Sequence, residues 1–275
     1  MNRIAIGLAC LLFLASCATT PRIPPAALSD LAPTGKLRAG INFQNPLLTA
    51  KDPVSGEPRG IAVELARELA QRLGVPIEIV PYTSAGQMAD AVKTGAWDVA
   101  FLGAEPQRAA EIDFTAAYLE VDATYMVPAG SPLRTIADVD REGIRIGVGE
   151  KSAYDLYLSR ALKHARLVRV RFTEAAFKNF VAEKLEAFAA LKPELVSYSG
   201  RLPGSRVLDG RFTVVQQAAG TPRGREAGAK YLREFIEDAK ASGLVARLIE
   251  KNGIRGASVA PGARGVSTIE MGGSM

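Results

Sequence analysis

The sequence predicts an α/β protein, in which the parallel strands of a sheet are joined by helices. Short apolar runs alternate along the chain with longer amphipathic stretches, which is the order expected of strand–helix–strand units. In the clearest amphipathic stretch, Ile61, Leu65, Leu69 and Leu73 recur every four residues with charged residues between them. Gly74 follows directly and is a typical helix end, so this helix is well bounded.

The other elements follow the same alternation. Apolar runs predict strands at 37–41, 76–80, 97–102, 123–127, 144–148, 167–172, 186–191 and 211–217. Amphipathic stretches predict helices at 61–73, 84–95, 153–164, 225–241 and 244–251, with two more beginning at Thr173 as a cap and at Pro193. Trp97 is expected in the core, and Asp98 is expected to form structural hydrogen bonds at the start of its strand.

The first residues predict export. A positive charge at Arg3 precedes an apolar run, 4–13, that is too short to span a membrane, which is typical of a signal peptide. The run is followed by Leu14-Ala15-Ser16-Cys17, in which small residues precede a cysteine, and this is the pattern on which lipoprotein processing acts. We expect 1–16 to be removed, Cys17 to carry lipid, 17–34 to be a linker and 256–275 to be a disordered tail. Ordinary secretory cleavage, with Cys17 discarded or free, is the alternative.

Composition excludes several classes of function. Cys10 and Cys17 are the only cysteines, and Cys10 lies in the segment that processing would remove. We therefore expect no internal disulfide in the folded domain. The net charge is +5, and the basic residues are scattered among acidic ones. The sequence has no basic stripe interleaved with aromatic residues, so nucleic acid is not an expected partner. His164 is the single histidine, beside Lys163 in an amphipathic stretch, and is expected at the surface. We therefore expect no zinc site and no cofactor.

Six stretches in order give the chain a family resemblance. It resembles the type II periplasmic solute-binding proteins of ABC importers, in the branch that mostly binds polar amino acids. The resemblance covers roughly 35–253 and is carried by 35–41, 60–66, 95–100, Arg108, 112–118 and 143–148. It implies two doubly wound lobes, 35–128 with 214–255 and 129–213, joined by two crossing strands and closing over ligand by a hinge. We also expect a monomer located in the periplasm, anchored to the membrane by lipid at Cys17, with an ABC permease as partner.

Arg108 is the first candidate ligand-binding residue. It follows the strand 97–102, at the carboxyl end of a sheet, where open α/β folds bind ligands. A guanidinium there can hold a carboxylate with two hydrogen bonds, and the resemblance implies this role; a solvated surface arginine is the alternative. The preceding loop has Gly103 and Glu105 where the family commonly has Thr or Ser. Glu105 either pairs with Arg108 or faces solvent.

Other candidates come from both lobes. Phe43 and Asn45 match the region where the family supplies an aromatic face and a polar contact, although Phe43 could only fill core. On the second lobe, Ser152, Ala153 and Tyr154 open a helix whose free N–H groups suit an anion, although Ser152 could serve only as a cap.

Lys192 and Gln216 complete the candidate site. The resemblance implies an acid near position 192 that pairs with a ligand ammonium, and Lys192 would repel such a group. This predicts a carboxylate-bearing solute without an amine or with a second acidic group, unless another acid lies nearby. Gln216 and Gln217, in the second crossing strand, contact ligand or serve the hinge.

The expected function is capture of a small carboxylate-bearing solute, an amino acid or related organic acid, without catalysis. Two alternatives stay open. One is a periplasmic sensor that transports nothing. The other is a dehydratase-like enzyme on the same fold, for which Glu105 is the only acid that we would suspect of catalysis.

Overall fold

The computed structural model describes residues 23–263. The predicted signal peptide, the lipidation site at Cys17 and the end of the predicted tail lie outside this range. Among the described residues, no helix is both long and apolar enough to cross a bilayer.

The described chain folds into twelve strands and eight α-helices. The strands are β1 Leu37–Asn42, β2 Ala50–Lys51, β3 Pro58–Arg59, β4 Ile77–Tyr82, β5 Val99–Gly103, β6 Ile112–Val127, β7 Arg145–Gly149, β8 Arg166–Val170, β9 Ala187–Leu191, β10 Arg206–Val207, β11 Thr213–Pro222 and β12 Ala257–Val259. The helices are α1 Pro25–Leu31, α2 Ile61–Leu73, α3 Ala85–Asp90, α4 Ala153–Ala161, α5 Thr173–Ala182, α6 Lys192–Ser199, α7 Glu226–Ala241 and α8 Leu244–Lys251.

Two parallel units lie at either end of one continuous sheet. The strand order is β4-β1-β5-β11-β6-β9-β7-β8. β4, β1 and β5 are parallel to one another, and so are β9, β7 and β8. This mixed α/β architecture confirms the predicted fold class.

Two long antiparallel strands connect the units. The first part of β6 pairs with the end of β11, and its last part, Ala123 to Met126, pairs with β9. We call the unit of β1, β4 and β5 the first lobe and the unit of β7, β8 and β9 the second lobe. β6 and β11 thus run between the lobes as the predicted crossing strands do. The lobe boundaries at 128/129 and 213/214 remain a prediction.

The predicted helix at 61–73 forms as the pattern indicates. Ile61, Leu65, Leu69 and Leu73 are all buried on one face of α2. Gly74 ends the helix in the left-handed conformation, with φ of 64°, which a residue without Cβ adopts at little cost.

The ends of the domain differ from the prediction. Within the predicted linker, α1 packs against α7 and buries Ala27 and Leu31. Within the predicted tail, β12 pairs with β6, and Ala260 is buried. Both segments are too short to show a period in the sequence, and tertiary contacts stabilise them.

Two local predictions also need correction. Thr173 is the first residue of α5 and not its cap; Phe172 holds the cap position, without a side-chain hydrogen bond. The helix predicted to reach His164 ends at Ala161, and His164 is exposed.

A buried carboxylate ties the first lobe together. Asp98 is fully buried before β5 and accepts hydrogen bonds from the guanidinium groups of Arg38 and Arg225. Trp97 is also fully buried, as predicted, and its indole N–H donates to the carbonyl of Met88 over 2.9 Å.

Candidate functional site

A cavity lies between the two lobes, at the carboxyl ends of their parallel strands. Its wall includes Asn42 at the end of β1, Gly103 at the end of β5, Gly149 at the end of β7 and Leu191 at the end of β9. Its volume is about 70 Å³. Open α/β sheets bind their ligands at this edge, so the topology makes this cavity the candidate binding site.

Arg108 is a buried cation in the wall of the cavity. It lies in a 3₁₀ turn after β5, and only 6% of its surface is exposed. Nη1 donates to the carbonyl of Gly103 over 2.7 Å, and Nη2 donates to the carbonyl of Lys151 over 2.8 Å. Burial lowers the pKa of Arg108 to about 10, so the guanidinium is charged at neutral pH. A guanidinium has five N–H donors, and these two contacts leave others for a ligand.

The start of α4 and its N-cap form the facing wall on the second lobe. Ser152, Ala153 and Tyr154 all line the cavity. The Ser152 hydroxyl accepts a hydrogen bond from the Asp155 N–H over 3.1 Å, so it caps α4. The Tyr154 hydroxyl lies 3.0 Å from the Thr173 hydroxyl, and burial raises the pKa of Tyr154.

Glu194 is a buried acid in the same cavity. It lies in the first turn of α6, and 8% of its surface is exposed. Its Oε2 accepts a hydrogen bond from the Leu191 N–H over 3.3 Å, and no basic side chain among the described residues pairs with it. Burial raises the pKa of the Glu194 carboxyl to about 7.

Gln217 supplies an unpaired amide oxygen. Its side chain lines the cavity from β11 and is 3% exposed. Its buried Oε1 has no hydrogen-bond partner among the described residues. Because an unsatisfied buried acceptor is costly, a donor group placed beside this oxygen would be stabilised.

One family model matches residues 37–253, most of the chain, and describes the bacterial extracellular solute-binding proteins, family 3. The chain belongs to this family. It is thus a solute-binding protein, as predicted.

Solved structures show the same fold. The P235GK mutant of ArgBP from T. maritima has a TM-score of 0.69 and 21% identity, with 82% of this chain and 98% of that one covered. A solute receptor for L-cysteine of Neisseria gonorrhoeae has a TM-score of 0.70 and 21% identity, covering 82% and 92%. The ancestral amino acid-binding protein AncCDT-1, a precursor of cyclohexadienyl dehydratase, has a TM-score of 0.67 and 23% identity, covering 82% and 98%. No curated protein sequence matches the chain.

The structure brings most of the predicted site residues of this solute-binding protein together. Six of the ten line the cavity: Asn45, Gly103, Arg108, Ser152, Ala153 and Tyr154. Their roles as ligand contacts remain a prediction.

Two predicted residues of the first lobe do not reach the cavity. Phe43 is half-buried and packs against the hydrophobic core. Glu105 pairs with Arg160 over 2.6 Å and not with Arg108, because α4 of the second lobe lies against its loop.

Lys192 and Gln216 also do not line the cavity. Lys192 is the first residue of α6, and the helical turn brings Glu194 to the cavity in its place. Gln216 lies on the opposite face of β11 from Gln217 and donates to Glu120 over 2.8 Å. The charge argument for a ligand without an amine therefore loses its basis.

Of the two residues that line the cavity here, Gln217 was named from the sequence beside Gln216 and Glu194 was missed, and the sequence contained a signal for each. Pro193 is typical of the first turn of a helix, which places the next residue, Glu194, in that turn, where its carboxylate accepts a hydrogen bond from the Leu191 N–H. In β11, Val215 is buried in the cavity wall, and strand alternation puts Gln217 on the same face. Within residues 23–263, no cluster of three or more His, Cys, Asp or Glu side chains could hold a metal ion.

Proposed function

We propose that this protein captures a small α-amino acid between its lobes and releases it unchanged. The observation that carries the proposal is that Arg108, Glu194 and Gln217, each buried, line one cavity. A zwitterion presents one carboxylate and one ammonium group, and these side chains offer a partner for each.

The charges of the cavity favour a ligand with both groups. The guanidinium of Arg108 binds a carboxylate through charge-assisted hydrogen bonds. The Glu194 carboxyl and the Gln217 Oε1 accept hydrogen bonds from an ammonium group. A simple organic acid would leave Glu194 and Gln217 unsatisfied, and a simple amine would leave Arg108 without a counter-ion.

The size of the cavity favours a small solute. Its volume of about 70 Å³ is well below the range of about 300–1,000 Å³ typical of pockets for drug-sized ligands. Two of the similar structures, an amino acid-binding protein and a solute receptor for L-cysteine, fit this class of ligand.

The proposal is tested with a matched set of three ligands. Native mass spectrometry of the purified protein and a calorimetric screen of the standard L-amino acids identify the best ligand. Its affinity is then compared with those of the amine that lacks the carboxylate and the acid that lacks the amine. We expect each analogue to bind at least about tenfold more weakly, because each loses one charge-assisted interaction. Equal affinity of either analogue would contradict capture of a zwitterion.

Delivery to an ABC permease is the second part of the proposal. The family consists of extracellular solute-binding proteins, and the apolar run before Cys17 supports export with a lipid anchor in the periplasm. We propose a monomer that is tethered at Cys17. Changing Cys17→Ser should abolish the incorporation of labelled fatty acid into the protein, because the thiol that carries the lipid is lost. Deleting the cognate permease should abolish uptake of the ligand, and unchanged uptake would favour a sensory role.

Catalysis is a second candidate function, and Glu194 is the observation that favours it. A carboxyl with a pKa of about 7 in a buried cavity is suited to general acid catalysis, which a dehydratase requires. Glu105, the acid first suspected from the sequence, is paired with Arg160 outside the cavity. Incubation of each bound solute with the protein, followed by mass spectrometry, separates the two functions: recovery of unchanged solute supports capture, and loss of water from it supports catalysis.

A further inference from the structure

The turn at Lys151 touches the first lobe through its backbone and its side chain. The Lys151 carbonyl accepts the hydrogen bond from Arg108 over 2.8 Å. The Lys151 Nζ pairs with Asp90, in α3, over 2.7 Å. Lys151 belongs to the segment between β7 and α4, whereas Arg108 and Asp90 belong to the first lobe. One residue of the second lobe thus makes two polar contacts across the cleft.

The backbone of Lys151 is shaped for this contact. Its φ is +55°, in the left-handed region that non-glycine residues rarely occupy. The Lys151 N–H donates to Asp155 Oδ2 over 2.8 Å, which holds the turn in this conformation. A strained conformation persists only where the surroundings enforce it, and strain of this kind is frequent at ligand clamps and switch regions.

The segment that contains Lys151 and Ala153 packs directly against two glycines of the first lobe. A Cβ added at Gly86 would lie 2.6 Å from the Cβ of Lys151, and one added at Gly103 would lie 2.8 Å from the Cβ of Ala153. Both separations are too short for carbon atoms. The lobes therefore approach so closely that only glycine fits at these two positions.

A further ion pair lies beside this contact. Arg160 of α4 pairs with Glu105 of the first lobe over 2.6 Å, and the Glu105 side chain is mostly buried. All of these contacts join protein atoms to protein atoms, so they need no solute to form.

We propose that the Lys151 turn is a latch that holds the two lobes closed before a solute binds. The latch consists of Lys151 and Ala153 on the second lobe, seated on Gly86 and Gly103 and fixed by Arg108 and Asp90. A solute then enters only when the latch opens. The larger the closed fraction of the solute-free protein, the weaker the observed affinity is relative to the affinity of the open form.

The latch requires the absence of a Cβ at Gly86, whereas the ion pair contributes little to it. The side chains of Lys151 and Asp90 are 54% and 64% exposed, and exposed ion pairs stabilise little. A Cβ at Gly86, in contrast, cannot coexist with the closed arrangement. Gly86 lies in α3 with an ordinary negative φ, so alanine there favours the helix itself. Gly86→Ala therefore acts selectively on the closed form.

Small-angle X-ray scattering of the solute-free protein tests the latch. The wild type, freed of solute by unfolding and refolding, is compared with Gly86→Ala and with the control Gly200→Ala, where an added Cβ meets only an ordinary contact at 3.4 Å. We expect the wild type and the control to give the radius of gyration of a compact chain, roughly 18 Å, and Gly86→Ala to give a larger one. Circular dichroism verifies that each variant is folded.

A rescue variant ties the effect to the contact. Lys151→Gly removes the Cβ that Gly86→Ala would strike and keeps the carbonyl that Arg108 contacts, so the double variant should return to the compact profile. An open wild type, a compact Gly86→Ala variant or a double variant that stays open would each overturn the latch. Because no ligand is used, these outcomes do not depend on whether the solute is an amino acid.

Discussion

Arg108 and Lys151 meet across the cleft, where the Arg108 Nη2 donates to the Lys151 carbonyl over 2.8 Å. The guanidinium that we propose for the ligand carboxylate therefore also contacts the opposite lobe. We therefore predict that binding and closure are coupled through this one side chain, because the carbonyl that orients it belongs to the second lobe.

The ability of Arg108 to make two parallel hydrogen bonds is predicted to be necessary for full ligand affinity, beyond the positive charge of its side chain. Arg108→Lys keeps a cation but cannot make two parallel hydrogen bonds to a carboxylate. We expect the affinity for the amino acid to fall at least about tenfold, or roughly 1.4 kcal/mol, as measured by titration calorimetry. Arg247→Lys, in α8, is the matched control and should bind as the wild type does. Unchanged affinity of Arg108→Lys would contradict the claim that two parallel hydrogen bonds from Arg108 hold the carboxylate.

Glu194 is predicted to make stability depend on pH. Its pKa is about 7 in the folded protein, above its ordinary value of 4.5, so between these values the folded state holds a proton that the unfolded state has lost. This group's contribution to the free energy of unfolding is therefore fully present below about pH 4.5 and is lost as pH rises through about 7. The loss amounts to about 3 kcal/mol, since one pKa unit corresponds to about 1.4 kcal/mol.

Urea unfolding at pH 5 and pH 8 measures this loss. Glu194→Gln keeps the shape and an acceptor for the Leu191 N–H but cannot ionise. We expect the wild type to lose more stability between the two pH values than the variant does. The same change with pH in both proteins would show that Glu194 does not titrate as its burial indicates.

Ligand binding is predicted to release a proton near pH 6. An ammonium group stabilises the ionised carboxylate of Glu194, so a protonated Glu194 must lose its proton when the amino acid binds. Affinity should rise from pH 5.5 to pH 8 and level off above about 7. Calorimetry at pH 6 in buffers of different ionisation enthalpy detects the proton. The deaminated analogue of the ligand, which lacks the ammonium group, should release none, and equal release from both would refute the pairing.

Asp98 is predicted to be essential for the stability of the first lobe. The carboxylate is fully buried between Arg38 and Arg225, so Asp98→Asn leaves two guanidinium groups without their counter-ion. We expect a loss of about 3–5 kcal/mol in the free energy of unfolding. Asp113→Asn, at an exposed ion pair with Arg233, is the control and should change stability by less than about 1 kcal/mol. Equal effects in the two variants would contradict the role of Asp98.

The sequence predicted the fold well because long amphipathic patterns dominate it. The spacing of Ile61 to Leu73 defined α2, and the position of Arg108 after a strand placed it correctly at the cavity. The helix α1 and the strand β12 were missed because each is too short to show a periodic pattern. They are stabilised by contacts with α7 and β6, which are distant in the sequence.

The candidate site was less predictable because a shift of one or two residues changes which side chain faces the cavity. Gln216 and Gln217 lie on opposite faces of β11, and Lys192 and Glu194 point differently from the first turn of α6. These errors reversed the expected charge near the ligand, from a lysine to an acid, and with it the expected class of solute.

A crystal structure of the protein with its best amino-acid ligand tests the central claim most directly. We predict that the ligand carboxylate lies within about 3.2 Å of the Arg108 guanidinium nitrogens and the ammonium within the same distance of Glu194 or Gln217. A ligand bound elsewhere, or one in this cavity whose carboxylate has no contact with Arg108, would contradict the account.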